Sequence, residues 1–289
     1  MSSSTPLIAA YKGPAGRDVL TFAKVWSQAS GRPLHVVTVY PSPYFIGMGR
    51  TDAEWVSYNR AEAESLLAEA RAFLTDDVAA EYQPVAAESA SRGLHDAMVA
   101  AAPGATVIVG SRKTRGVRRT ALGSTAGRLL QGAPGPVALV PWDYEAGPVD
   151  RIRRVAVAFV DTPDGRTALT GAQAMAAELG ARLTVITVLP DTRVLPSLGE
   201  PHRFADEQRA EFQAALDQRL READPSLSAE SKVLEGPVVD TLADLRSEDY
   251  DVLVCGSRGY GPARSVLLGG VSSRLLRHAR VPVMVVPRG

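Results

Sequence analysis

Short apolar runs rich in β-branched residues alternate along this chain with longer stretches whose apolar positions recur every three or four residues. The runs "VAVAFV", "LTVITV", "DVLVC" and "VPVMVV" hold few polar residues, so they read as strands buried on both faces. Between them, Leu66, Leu67, Ala70, Phe73 and Leu74 repeat at helical spacing, as do Phe212, Ala215, Leu216 and Leu220. The glutamate-rich "RAEAESLLAEARAF" reads as an amphipathic helix with a solvated face. Strand followed by helix, repeated, predicts a parallel sheet with helices on both sides.

The pattern occurs twice. Pro14, Gly16, Arg17 and Leu20 return as Pro163, Gly165, Arg166 and Leu169, 149 positions later (163 − 14 = 149). "GRPLHVVTVYP" from Gly31 returns at the same offset as "GARLTVITVLP" from Gly180. Further on the offset falls to 146: Gly110 pairs with Gly256, Gly123 with Gly269, and "GPVALVP" with "VPVMVVP". A period this long suits tandem domains better than a solenoid. "WDYEAGPVDR", Trp142 to Arg151, reads as the linker between domains over 1–145 and 150–289, each with five strands and four helices.

Composition narrows the function classes. Lys plus Arg and Asp plus Glu number 32 each, so net charge gives no reason to expect a nucleic-acid or membrane partner. The start "MSSSTPLIAAYKG" lacks a secretory pattern, and no stretch reaches the ~18 apolar residues of a membrane span, so a cytoplasmic location is expected. The lone Cys255 excludes a disulfide within the chain. His35, His95, His202 and His278 share no metal-ligand spacing, and no nucleophile–base pair is recognisable, so no catalytic residue or metal ligand is expected.

The candidate chemistry lies in "GSRGYGPARSVLLGG", which leaves the strand "DVLVC" and enters the helical "VSSRLLRHA". Glycines here would let a phosphate approach the free amides of a helix N-terminus, with Arg258 adding charge and Ser272 a hydroxyl. Equally, the glycines could merely shape turns while Ser272 or Ser273 caps the helix. The loop is neither a Walker loop nor a dinucleotide fingerprint.

Gly-x-x-Gly-x9-Gly, followed by a helix and the strand "VPVMVVP", resembles the ATP-binding type of universal stress protein. "VAVAFVDTPDGRTAL", "GARLTVITVL" and "DVLVCGSRG" support the resemblance, which extends over both repeats. It implies two tandem Rossmann-like, adenine-nucleotide α-hydrolase-like α/β domains. Each would hold a five-stranded parallel sheet of order 3-2-1-4-5 flanked by helices. It further implies ATP, with Mg²⁺ as an optional companion, held between the first, second and fourth strand ends and the glycine loop. Domains would pair through their final strands within the chain, giving a monomer or a dimer of such monomers.

Carried over residue by residue, the resemblance places Gly256, Arg258, Gly259 and Gly269 on the motif, with Gly270 where a Ser or Thr is usual. The missing phosphate contact then falls to the backbone of Gly270 and Val271 or to Ser272. Alignment on Pro163 puts Val160 at the family's adenosine-facing aspartate, with Asp161 one place late; Val188, and Val39 one repeat earlier, border adenine. In the first repeat Gly110, Arg112, Gly123 and Ser124 match, but Lys113 replaces the second glycine and Tyr11 the aspartate. If that position needs positive φ, Lys113 costs roughly 1–2 kcal/mol. Tyr11 could fill the adenine pocket or stack on a base. The basic stretch "SRKTRGVRRT" is an anion cradle or a solvated loop, and "YPSPYFIGMGRTDAEW" a lid or a packed surface loop. The expected function is ATP binding without catalysis, or with slow hydrolysis, chiefly by the second domain. The alternatives are a scaffold with empty pockets and an anion or small-molecule sensor.

Overall fold

The computed structural model describes residues 5–42, 50–113, 120–144, 151–189, 207, 209–218, 229–257 and 270–287. The chain divides between Arg151 and Ile152 into two compact units. The first runs β1 (Leu7–Ala10), α1 (Arg17–Ser30), β2 (Leu34–Pro41), α2 (Arg50–Leu74), β3 (Ala80–Ala87), α3 (Ala90–Ala100) and β4 (Thr106–Gly110). It continues through a small hairpin, β5 (Arg112–Lys113) with β6 (Thr120–Ala121), to α4 (Ser124–Leu129) and β7 (Val137–Val140). Its main strands pair in parallel in the order β3-β2-β1-β4-β7.

The second unit repeats the plan: β8 (Arg154–Ala158), α5 (Pro163–Leu179), β9 (Arg182–Leu189), α6 (209–218) and β10 (Ala229–Glu235). After these come α7 (Val238–Ala243), β11 (Val252–Gly256), α8 (Gly270–Leu275) and β12 (Val283–Val286). The parallel order is β10-β9-β8-β11-β12. Both units are α/β folds with the expected Rossmann-like strand order.

Burial follows the apolar runs. β7 and β12 are buried along their whole length, whereas β3 and β10 alternate between half-buried and exposed positions. α1 turns Val19, Leu20, Phe22, Ala23, Val25 and Trp26 inward. It stops at Gly31, whose φ of 71° suits glycine. α5 starts on Thr162, whose hydroxyl accepts the Gly165 N–H at 3.1 Å, with Pro163 in the first turn.

The amino ends of the two sheets are fastened by opposite charges. In the first unit the buried Arg32 guanidinium donates to the carbonyls of Thr5 and Pro6 and to Thr106 Oγ1. In the second, the Asp251 carboxylate accepts the N–H groups of Arg153 and Arg154 at 2.7 and 2.9 Å and pairs with the Arg154 side chain. Beyond β7, the Trp142 N–H donates to Ser111 Oγ, the Asp143 N–H to Asp18, and Tyr144 packs edge-on against Phe22. The first three residues of the expected linker are therefore built into the first unit.

Three local expectations change. Of the expected loop "YPSPYFIGMGRTDAEW", residues 43–49 lie outside the described residues, and from Arg50 the chain is already helical, in α2. Lys113 pairs with Thr120 in an extended hairpin, so the cost of a left-handed lysine does not arise. The third change is one of register. Ala10 pairs with Val37, but Ala158 pairs with Ile186 (37 + 149 = 186), so the first strands match at an offset of 148 (158 − 10). Thr38 Oγ1 donates to the Tyr11 carbonyl and Thr187 Oγ1 to that of Phe159, which confirms the shift. The counterpart of Tyr11 is thus Phe159, not Val160. The second unit holds one extra residue between its first strand and helix, which anchoring on Pro163 conceals. A single-residue slip turns every side chain to the opposite face.

Candidate functional site

Ligands of open parallel sheets sit at the carboxyl ends of the strands, where the strand order reverses. In the second unit this point lies between β8 and β11, which pair, with β9 on the far side of β8. A cavity of about 60 Å³ opens there. Its floor is Phe159, Val160, Ile186 and Val188, from β9 and the turn after β8. One wall is Thr162 and Gly165 at the start of α5; another is Val238 and Leu242 of α7; Gly256, Val271 and Ser272 close it.

Close backbone approach shapes this end of the sheet. A Cβ on Gly165 would collide with the Val160 carbonyl oxygen, and one on Gly256 would stand 2.8 Å from that of Asp164. Larger residues at either place would push α5 off the strand ends. Gly256 therefore has a packing role whatever binds beside it. Gly270, at the start of α8, differs: among the described residues a Cβ there would meet nothing within 4 Å.

Ser272 is 3% exposed, and its hydroxyl donates to the Gly256 carbonyl at 3.0 Å. That proton ties α8 to the end of β11, so the expected phosphate-donating role is already spent within the fold. Cys255 also lines the cavity, and full burial pushes its thiol up to about 12, against a smaller opposing effect of the Ser272 hydroxyl. Such a thiol stays protonated and inert. No carboxylate, imidazole, ammonium or guanidinium stands among the described lining residues.

Of the residues the resemblance implied, Val160, Val188, Gly256, Val271 and Ser272 line this cavity. Asp161 turns away: its carboxylate is exposed and pairs with Arg166 at 2.8 Å. Arg258, Gly259 and Gly269 lie outside the described residues. Sequence reading missed Phe159, Thr162, Gly165, Val238, Leu242 and Cys255. The apolar pair Val238 and Leu242, four apart on a helix, was the available signal for two of them.

In the first unit Tyr11 occupies the corresponding place and is 3% exposed. A Cβ on Gly16 would lie 3.1 Å from its ring, so the ring packs against the turn into α1. Burial raises the Tyr11 hydroxyl pKa, Glu69 adds to the rise, and Arg17 opposes it. Of the two options for Tyr11, filling space is the one the packing supports. Val39 is half-buried against Gly93 of α3. Gly110 ends β4, Arg112 belongs to the hairpin, and Gly123 precedes α4 with an ordinary φ of −61°, leaving Ser124 exposed in its first turn.

Among the described residues no group of three or more His, Cys, Asp and Glu could hold a metal ion. Nor is any helix there long and apolar enough to cross a membrane.

Comparison with known proteins agrees with the doubled plan. A sequence model described as the universal stress protein family matches residues 6–141 and again 151–287. The chain is 27% identical over 293 residues to a universal stress protein of Mycobacterium tuberculosis, covering 95% of this chain and 97% of the relative. A universal stress protein of Mycolicibacterium smegmatis is 32% identical over 202 residues, 69% of this chain and 66% of its own length. In three dimensions, a universal stress protein from Archaeoglobus fulgidus superposes with a TM-score of 0.67 at 18% identity, covering 99% of this chain and 97% of the other.

Proposed function

We propose a nucleotide-binding role for this chain, which belongs to the universal stress protein family in both of its halves. The second unit binds an adenine nucleotide at the carboxyl ends of β8, β9 and β11, in the manner of the ATP-binding members that its glycine spacing resembles. The observation that carries the reading is the cavity between Val160, Val188, Gly256 and Val271. At about 60 Å³ it is far smaller than the ~300 Å³ at which drug-sized sites begin, so it takes one end of a ligand. Its apolar walls suit the flat base. The phosphates, with any accompanying Mg²⁺, would run toward the amides opening α8 and toward Arg258, Gly259 and Gly269.

Binding without efficient hydrolysis is the reading that the described lining supports. With Cys255 protonated and no other titratable group on the described walls, nothing is placed to activate water. The protein then acts as an adenine-nucleotide-dependent stress-response regulator rather than as an enzyme. The buried Tyr11 gives the first unit a structural part.

The test is calorimetric titration of the full chain with ATP, beside mass spectrometry of nucleotide released on denaturation. Saturable binding that Gly259→Lys abolishes is expected; affinity unchanged by that substitution refutes the site.

A further inference from the structure

At the opposite, amino-terminal end of the second unit lies a larger and entirely different recess, of about 230 Å³. That exceeds the ~10–15 Å³ needed by one water and falls below the ~300 Å³ of larger ligand sites. It is sized for a small molecule.

The fold explains why it is there. Arg182 and Thr184 of β9 and Glu230 and Lys232 of β10, at the amino ends of these strands, form its floor. Thr184 lies buried at its base, donating to Glu230 on the neighbouring strand at 3.0 Å. The same register in the first unit holds His35 opposite Glu81, 3.5 Å apart. An imidazole there takes up space that Thr184 leaves free.

Charges of both signs line this floor, and several of them already have partners. Arg154 is neutralised by Asp251, and Glu248 pairs with Arg246 at 3.6 Å. Arg182 and Lys232 then face Glu230 and Asp249. Lys232 Nζ is 3.3 Å from the Tyr250 hydroxyl and 5.7 Å from its ring centroid. That hydrogen bond, helped by the charges of Glu230 and Asp249 and opposed by burial, raises the Lys232 pKa above its ordinary value. Arg182 lines the recess and pairs with no carboxylate among the described residues. The recess thus offers a guanidinium able to take a bidentate carboxylate and, on the same lining, the carboxylates of Glu230 and Asp249.

We propose that this recess binds a small zwitterion of the α-amino acid class. Its carboxylate docks on Arg182, its ammonium turns toward Glu230 and Asp249, and the Tyr250 ring flanks its side chain. A monoanion would leave the carboxylates unanswered and a monocation would leave Arg182 unanswered; a zwitterion answers both. The site stands apart from the nucleotide cavity, so it can be tested whatever the fate of that reading.

The experiment screens the full chain against the standard α-amino acids at about 10 mM by saturation-transfer NMR, with calorimetry on those that bind. At least one is expected to bind saturably, and Arg182→Ala and Glu230→Gln should each weaken it about tenfold or more. Both side chains are solvent-exposed, and the amide introduced by Glu230→Gln keeps an acceptor for the Thr184 hydroxyl, so both variants should unfold as the parent does. The N-acetyl and carboxamide derivatives of the bound amino acid should fail to bind. Absence of saturable binding, affinity indifferent to both substitutions, or equal binding of a derivative overturns the proposal.

Discussion

Replacing Gly256 by alanine puts a methyl group 2.8 Å from the Asp164 carbonyl oxygen, 3.2 Å from its carbonyl carbon and 3.4 Å from its Cβ. Two of these atoms are backbone in the first turn of α5, so no rotamer change relieves the contact. Nor can β11 yield easily. Gly256 is in register with Val286 of β12, and its carbonyl receives the Ser272 hydroxyl. Either element must retreat by a few tenths of an ångström, an overpacking that costs about 1–3 kcal/mol. Displacing α5 also strains the Thr162 cap on Gly165, and losing such a cap costs about 0.5–2 kcal/mol.

The expected total for Gly256→Ala is about 2–3 kcal/mol, or roughly 6–12 °C in the melting temperature of the second unit. Gly270→Ala is the control. With nothing among the described residues within 4 Å of its new Cβ, it should change stability by less than about 0.5 kcal/mol. Scanning calorimetry, with urea unfolding alongside, measures both. If the two substitutions cost the same, or if Gly256→Ala costs under about 0.5 kcal/mol, the close-approach argument is wrong.

Other consequences can be measured in the same unfolding experiments. Asp251→Ala strands two backbone N–H groups and should cost about 3–4 kcal/mol, whereas Asp251→Asn, which keeps an acceptor, should cost about 1–2. Little of this is ion pair, because the Arg154 side chain is 39% exposed. Tyr11→Ala should lower the stability of the first unit by about 3–5 kcal/mol and leave the melting of the second unchanged. For Cys255, a shift from 9.0 to about 12 makes reaction with a thiol reagent near pH 8 roughly a thousandfold slower than for an exposed cysteine, until the unit unfolds. The folded state holds this proton more tightly than the unfolded one, so its stabilising effect is complete below the unfolded pKa. It is lost as pH climbs toward 12, and Cys255→Ala should flatten that decline.

Much of the fold was legible because its signals are local. β-branched runs marked the inner strands, and the return of the Pro14 and Gly31 segments at Pro163 and Gly180 marked the doubling. The slip between Val160 and Phe159 was not legible, since the register of β8 is set by hydrogen bonds to β9 and β11, far away in sequence. The extra residue carries Asp161 into the turn, where it pairs with Arg166. The recess beside Arg182 depends on the small Thr184 where the first unit has His35 and on what Arg154 and Glu248 already bind, and no motif encodes either.

The central claim is that one nucleotide site per chain lies in the second unit, at the mouth shared by β8, β9 and β11. Calorimetric titration of the Tyr11→Ala and Gly259→Lys variants with ATP, beside the unaltered chain, tests it most directly. The account predicts about one ATP bound per chain, kept by Tyr11→Ala and lost in Gly259→Lys. Two equivalent sites, or binding that disappears with Tyr11 and survives in Gly259→Lys, would contradict it.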